Sequence, residues 1–220
     1  MVGAVLYLSE WLVIPFGVDL PTDDLGDNAS STASAYAGHA TELAFLAGWL
    51  SFALLGRIVF VTALRSSFRD SPRELPLVDI AVGAMAVSVA VEIVQLGLVA
   101  SAGWLAEAEA DPATIVALDA AGTVLFGVIF APIGMSVLAS SLAMLLSGLF
   151  ARWLGWLGVI AGALVVAGGV VSTTGAGDPG IVHDLADPLT GPPVALFWIW
   201  MIATSIVLFR SAPPVRRSRP

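Results

Sequence analysis

At 220 residues, 58% hydrophobic, with a mean hydropathy of +0.93, the chain is too apolar for a soluble domain. Its length suits about six membrane spans of roughly 20 residues joined by short connections. A net charge of −8 leaves no basic surface for nucleic acid, and the absence of cysteine excludes disulfides, thiolate metal sites and cysteine nucleophiles.

In chain order, the hydropathy predicts spans at about 2–18, 41–64, 77–101, 115–148, 153–173 and 194–210. Backbone groups in hydrocarbon must pair within their own segment, so each span should be a helix. The first begins almost at Met1. A cleaved leader ending at Ala33-Ser34-Ala35 is disfavoured, because no basic n-region precedes the apolar run and Glu10 interrupts it. The fourth run is too long for one straight crossing, and Pro132 followed by Gly134 predicts a kink there. Splitting it into two spans would place Arg152 and the C-terminal arginines on opposite sides, so six spans are preferred. Residues 19–40, 102–114 and 174–193 read as loops. The last, with Gly175, Gly177, Pro179, Pro188, Pro192 and Pro193, should be irregular. The expectation is an all-α polytopic membrane bundle over residues 1–210, followed by a disordered basic cytoplasmic tail over 211–220.

Charge sets the expected orientation. All nine basic residues are arginines. Arg65, Arg69 and Arg73 share one connection, Arg152 lies in another, and Arg210, Arg216, Arg217 and Arg219 close the chain. The alternate connections carry Asp19, Asp23, Asp24 and Asp27, then Glu107, Glu109 and Asp111, then Asp178, Asp184 and Asp187, without any arginine. The positive-inside rule then puts both termini in the cytoplasm of a multi-pass plasma-membrane protein.

Carboxylates in hydrocarbon cost several kcal/mol, so each one needs a reason. Glu10, Glu42, Glu92 and Asp119 fall in the central or outer half of their spans. Helical spacing groups Ser88, Glu92 and Gln95; His39, Glu42 and Trp49; Asp119, Thr123, Phe126 and Phe130; and Tyr7, Glu10, Trp11 and Ile14. The expectation is one water-poor chamber toward the outer half. In it, Glu92 or Asp119 gives a proton and Glu42 and Glu10 complete the acidic set. Gln95 and His39 orient substrate, and Trp11, Trp49, Trp104, Trp198, Phe126 and Phe130 offer ring faces to positive charge. Glu42 and Asp119 read equally well as solvated helix-start acids, and each tryptophan as an interfacial belt residue. Arg57, deep in the second span, reads either as a side chain reaching the cytoplasmic headgroups or as a counter-ion to a carboxylate or an anionic ligand.

Two loop strings are weaker signals. Asp23-Asp24-Leu25-Gly26-Asp27 matches the DDxxD magnesium string of soluble prenyl-diphosphate enzymes, and His183-Asp184-Leu185-Ala186-Asp187 could face it. Both lie in acidic loops rather than on pocket-facing helices, and no metal is assigned. No P-loop, dinucleotide fingerprint or serine triad is present.

The run Ala151-Arg152-Trp153-Leu154-Gly155-Trp156-Leu157-Gly158, followed by an Ala/Gly/Val helix and a last span containing Trp198, resembles an actinobacterial group of six-span membrane proteins of unknown function. A looser similarity, of architecture and chemical type, is to the small integral-membrane terpene cyclases. That similarity implies intramembrane Glu and Asp protonating an alkene or epoxide of a prenylated substrate, inside aromatic walls. The resulting expectation is an acid-catalysed membrane enzyme that needs no cofactor. Its partners would be a lipophilic substrate and membrane lipid, with no nucleic acid and an unspecified oligomeric state. A proton-coupled transporter and an accessory membrane subunit are the alternatives.

Overall fold

A computed structural model describes residues 2–9, 29–175 and 179–211, with the backbone alone for 174–175, 179–191 and 211. Among the described residues eight helices follow in order: α1 (Val2–Leu8), α2 (Ala29–Tyr36), α3 (Ala40–Ser66), α4 (Leu75–Glu107), α5 (Pro112–Val128), α6 (Phe130–Ser147), α7 (Arg152–Gly175) and α8 (Pro179–Ser211). The described residues form an all-α membrane bundle. Five segments are long and apolar enough to cross: Ala40–Ser66, Leu75–Glu107, Pro112–Ser147, Arg152–Thr173 and Pro192–Arg210. Most of the expected first span lies outside the described residues.

Local chemistry sets several boundaries. Asp111 caps α5, its carboxylate accepting from the Ala113 amide at 3.3 Å, and Pro112 occupies the first turn where no donor is lost. Gly148, with φ of 66°, ends α6 in the left-handed conformation that a side chain disfavours. The turn after α4 holds Glu109 at φ 53°, the same conformation without a glycine to relieve it.

The long fourth run breaks between α5 and α6 at Ile129, three residues before Pro132. Proline has no amide to offer the Val128 carbonyl, while the Ile129 and Ile133 amides still bond one turn back at 3.1 and 3.2 Å. One ladder bond is missing and the run continues as a single crossing. Two loop expectations are corrected. Ala29–Tyr36 is helical, and residues 179–193 belong to α8 instead of an irregular loop. Proline's fixed φ is helical in sign, and membrane helices accommodate the lost donors through neighbouring groups.

Each of α3–α4, α4–α6, α6–α7 and α7–α8 packs side by side, with α1 against α3 and α5 against α4 and α7. Two contacts are backbone-close. A Cβ on Gly3 would meet the Phe60 amide at 2.6 Å and the Gly56 carbonyl at 2.7 Å, so only glycine lets α1 lie this near α3. Gly134 and Gly162 do the same for α6 and α7. Phe68 and Phe150 stack at 5.7 Å, which brings the α3–α4 and α6–α7 turns together. Arg65, Arg69, Arg73 and Arg152 therefore share one end of the bundle, as the charge pattern requires.

Candidate functional site

Arg57 and Glu92 meet inside the bundle. Arg57 is 4% exposed, and its Nη1 donates to Glu92 Oε2 at 2.6 Å while Nη2 donates to Oε1 at 3.3 Å. Helical geometry explains the meeting. Side chains lean toward the N-terminus of their own helix. On α3 that direction leads away from the arginine-rich end, and on antiparallel α4 it leads toward it, so the two side chains converge. Arg57 is thus a counter-ion and does not extend to the headgroups at its end.

Tyr7 completes the cluster. Arg57 Nη2 donates to its hydroxyl at 2.6 Å, and the guanidinium carbon stands 4.3 Å from the Tyr7 ring centroid. Trp198 Nε1 donates to the same hydroxyl at 3.0 Å. Tyr7 reaches this position because Gly56, the residue before Arg57, admits the α1 backbone; a Cβ there would strike the Gly3 carbonyl and stand 2.5 Å from the Tyr7 amide.

These four side chains form one wall of a cavity of about 270 Å³. Its other walls are apolar and aromatic: Phe126, Ile129, Phe130, Ile133, Phe197 and neighbours from α3, α7 and α8. Phe126 and Phe130 meet edge to face at 5.3 Å. The α5–α6 break at Ile129 lies in this wall. The volume falls just below the roughly 300–1,000 Å³ of ordinary small-molecule sites.

The structure brings together Glu92, Phe126, Phe130 and Trp198 from the expected set. It does not bring the described acids into one chamber. Glu42, with its side chain 59% exposed, pairs with His39 at 2.9 Å at the start of α3. There, water and the helix N-terminus both favour the acid. Asp119 accepts a hydrogen bond from Tyr36 at 2.6 Å, in a second apolar cluster of Tyr36, Leu43, Ala102 and Ile115 beneath α2. Burial, then the bond to Asp119 and its charge, raise the Tyr36 phenol well above the usual tyrosine range. Trp49 donates to the Ser9 carbonyl at 3.2 Å, tying α3 to α1. Trp104 is 63% exposed on the outside of the bundle, in keeping with a belt residue. Gln95 is half-buried and stands off the cavity wall. Glu10, Trp11 and the Asp23–Asp27 string lie outside the described residues, as do the side chains of 183–187. Among the described residues no three His, Asp or Glu gather as metal ligands.

Of the two readings of Arg57, the counter-ion to a carboxylate is the one the structure shows, while Tyr7, expected only to share a helix face with Glu10 and Trp11, had no site role assigned. The legible signs were a lone arginine in one apolar span and a lone glutamate in its antiparallel neighbour. Comparison with protein families, with curated proteins and with solved structures found no match to this chain.

Proposed function

We propose that this protein acts on a lipophilic small molecule held in the cavity, with Tyr7, Arg57 and Glu92 supplying acid–base chemistry. The observation that carries the reading is a buried cluster of one cation, one anion and one phenol forming a single wall of an otherwise apolar, aromatic cavity. Such a wall is costly in a membrane protein, and cost of this kind gathers at functional positions.

The chemistry follows from the hydrogen bonds. Both Glu92 oxygens accept from one guanidinium, so Glu92 presents no proton to the cavity in this arrangement. The Tyr7 oxygen receives two donors, Arg57 Nη2 and Trp198 Nε1. Those donors would stabilise negative charge developing on the oxygen as its proton leaves. We assign Tyr7 the role of proton donor and Glu92 that of balancing the guanidinium. Phe126, Phe130 and Phe197 would shelter positive charge on the substrate. Protonation-initiated cyclisation of a prenylated alkene or epoxide is the reaction class that uses every part of this wall, with the site in a multi-pass plasma-membrane protein whose termini are cytoplasmic. No cofactor enters this chemistry.

The test is conversion of candidate prenylated substrates in membranes carrying the protein, with Tyr7→Phe as the deciding variant. Loss of turnover with retained substrate binding is expected. Full turnover by Tyr7→Phe would remove the proton-donor assignment. A second reading, a proton-coupled transporter, is favoured by the charged pair lying between helices inside the bundle. Proteoliposome uptake that follows a pH gradient, without any product formed, would select it.

A further inference from the structure

On the reading that the cavity holds a prenylated molecule, we propose that Ile133 and Val165 set the size of that molecule. They limit it to about eleven non-hydrogen atoms, the bulk of two isoprene units and one oxygen. The volume of the cavity and the placement of these two residues argue for this.

The capacity follows from volume. An apolar protein cavity of about 150 Å³ holds one benzene, a scale of about 25 Å³ for each non-hydrogen atom of a closely held guest. The cavity measures about 270 Å³. One isoprene unit fills about half of it on that scale, and the atoms lining the rest would face no partner. Three units would need about 375 Å³, well beyond the space present. Two units fill the cavity and bring its walls into contact with the guest.

The placement decides which side chains hold that limit. The wall of Tyr7, Arg57, Glu92 and Trp198 comes from α1, α3, α4 and α8. Ile133 and Val165 come from α6 and α7, and they are 5% and 1% exposed. Their helices cannot shift to admit a larger guest. Gly134, the residue after Ile133, already stands against α7, where a Cβ would meet the Gly162 carbonyl at 2.7 Å and the Val166 amide at 3.0 Å. An interior packed this closely resists extra volume. A longer chain would instead have to displace Phe126, whose ring is 48% exposed and rests edge to face on Phe130 at 5.3 Å, and that contact would be lost. Trimming Ile133 and Val165 to alanine removes as many carbons as one isoprene unit contains, and it leaves the polar wall untouched.

The experiment uses the full chain in proteoliposomes. A diazirine-bearing alcohol of two isoprene units is loaded into the bilayer, and its labelling is mapped by mass spectrometry to the peptides holding Phe126, Phe130 and Val165. Prenyl alcohols of one, two and three isoprene units then compete at equal concentration within the bilayer, so that partitioning from water does not enter. The two-unit alcohol is expected to compete about tenfold better than the three-unit alcohol, the low end for overpacking a filled site. It should also exceed the one-unit alcohol. In Ile133→Ala/Val165→Ala the best competitor should become the three-unit alcohol. A wild-type protein that prefers one or three units overturns the size limit and leaves lipophile binding standing. A well-folded double variant with the wild-type preference overturns the assignment to Ile133 and Val165. Absence of any labelling that an alcohol can suppress overturns the binding reading itself. The wild-type series decides the matter where the double variant does not fold.

Discussion

Gly56 sits against Gly3 so closely that neither position can carry a side chain, and the next residue along α3 is the buried Arg57. The close approach of two backbones is what puts the Tyr7 phenol on the guanidinium. A packing motif and a charged site are therefore one local arrangement.

Substituting Gly56 should break both together. Gly56→Ala is expected to lower the thermal unfolding midpoint in detergent, at a cost of about 1–3 kcal/mol from overpacking. Gly48→Ala and Gly83→Ala are the controls, since an added Cβ at either meets nothing within 4 Å. Those two should be neutral or gain up to about 1 kcal/mol from helix propensity. Equal effects at all three positions would remove the special role of the α1–α3 contact.

The buried pair should respond to truncation very differently from the surface pair. Removing one partner, in Arg57→Met or Glu92→Met, is expected to cost about 3–5 kcal/mol, and the double substitution to restore much of it. Thermal unfolding of the four proteins gives the coupling. Arg65 and Asp79 also pair, at 2.5 Å, but both are exposed at the turn between α3 and α4. Arg65→Ala should leave the midpoint unchanged because water already solvates both charges.

Tyr36 makes a pH prediction. Its phenol is raised in the folded protein by burial and by Asp119. The unfolded phenol ionises near its ordinary value of about 10, so the folded state holds the proton more tightly. The stabilisation is complete below that value and is lost as pH climbs beyond it. Ultraviolet titration should show late phenolate absorbance that disappears in Tyr36→Phe. That variant should also lose about 1.5 kcal/mol, the low end for a bond to a charged acceptor because Asp119 is only half-buried. Phenolate appearing at the ordinary value would contradict the buried hydrogen bond.

Glu109 occupies left-handed backbone at φ 53° in the α4–α5 turn. Glu109→Gly should raise the unfolding midpoint, gaining about 1 kcal/mol as the Cβ strain disappears. An unchanged or lower midpoint would mean that the turn is not strained.

Much of the fold was legible in the residues. Apolar length marked six spans, five of which are helices long and apolar enough to cross among the described residues, and the segregation of arginines predicted which connections share an end, as the Phe68–Phe150 stack bears out. Pro132 marked the break in the fourth run, since a missing amide acts locally. The loop readings failed for a matching reason. Glycine and proline density describes average loops, whereas α2 is held by Tyr36 on Asp119 and α8 extends its helix through several prolines. The site was less legible. Spacing shows which residues share a face, but it does not fix how neighbouring helices rotate. Glu42, Glu92 and Asp119 lie on separate helices and face different partners, so similar depth did not make them neighbours. The convergence of Arg57 and Glu92 was open to a directional argument, because side chains lean N-terminally and the two helices run opposite ways.

The matched charges of Arg57 and Glu92 also bear on biogenesis. A helix entering the bilayer with an arginine or an acid near its centre faces an apparent insertion cost of about 2.5–3.5 kcal/mol on its own. Leaving the translocon as a hairpin, across the short turn of residues 67–74, lets α3 and α4 neutralise each other before either meets lipid alone. Insertion as a hairpin would then make the delivery of the two helices interdependent, and neutral replacement of both partners would release that dependence.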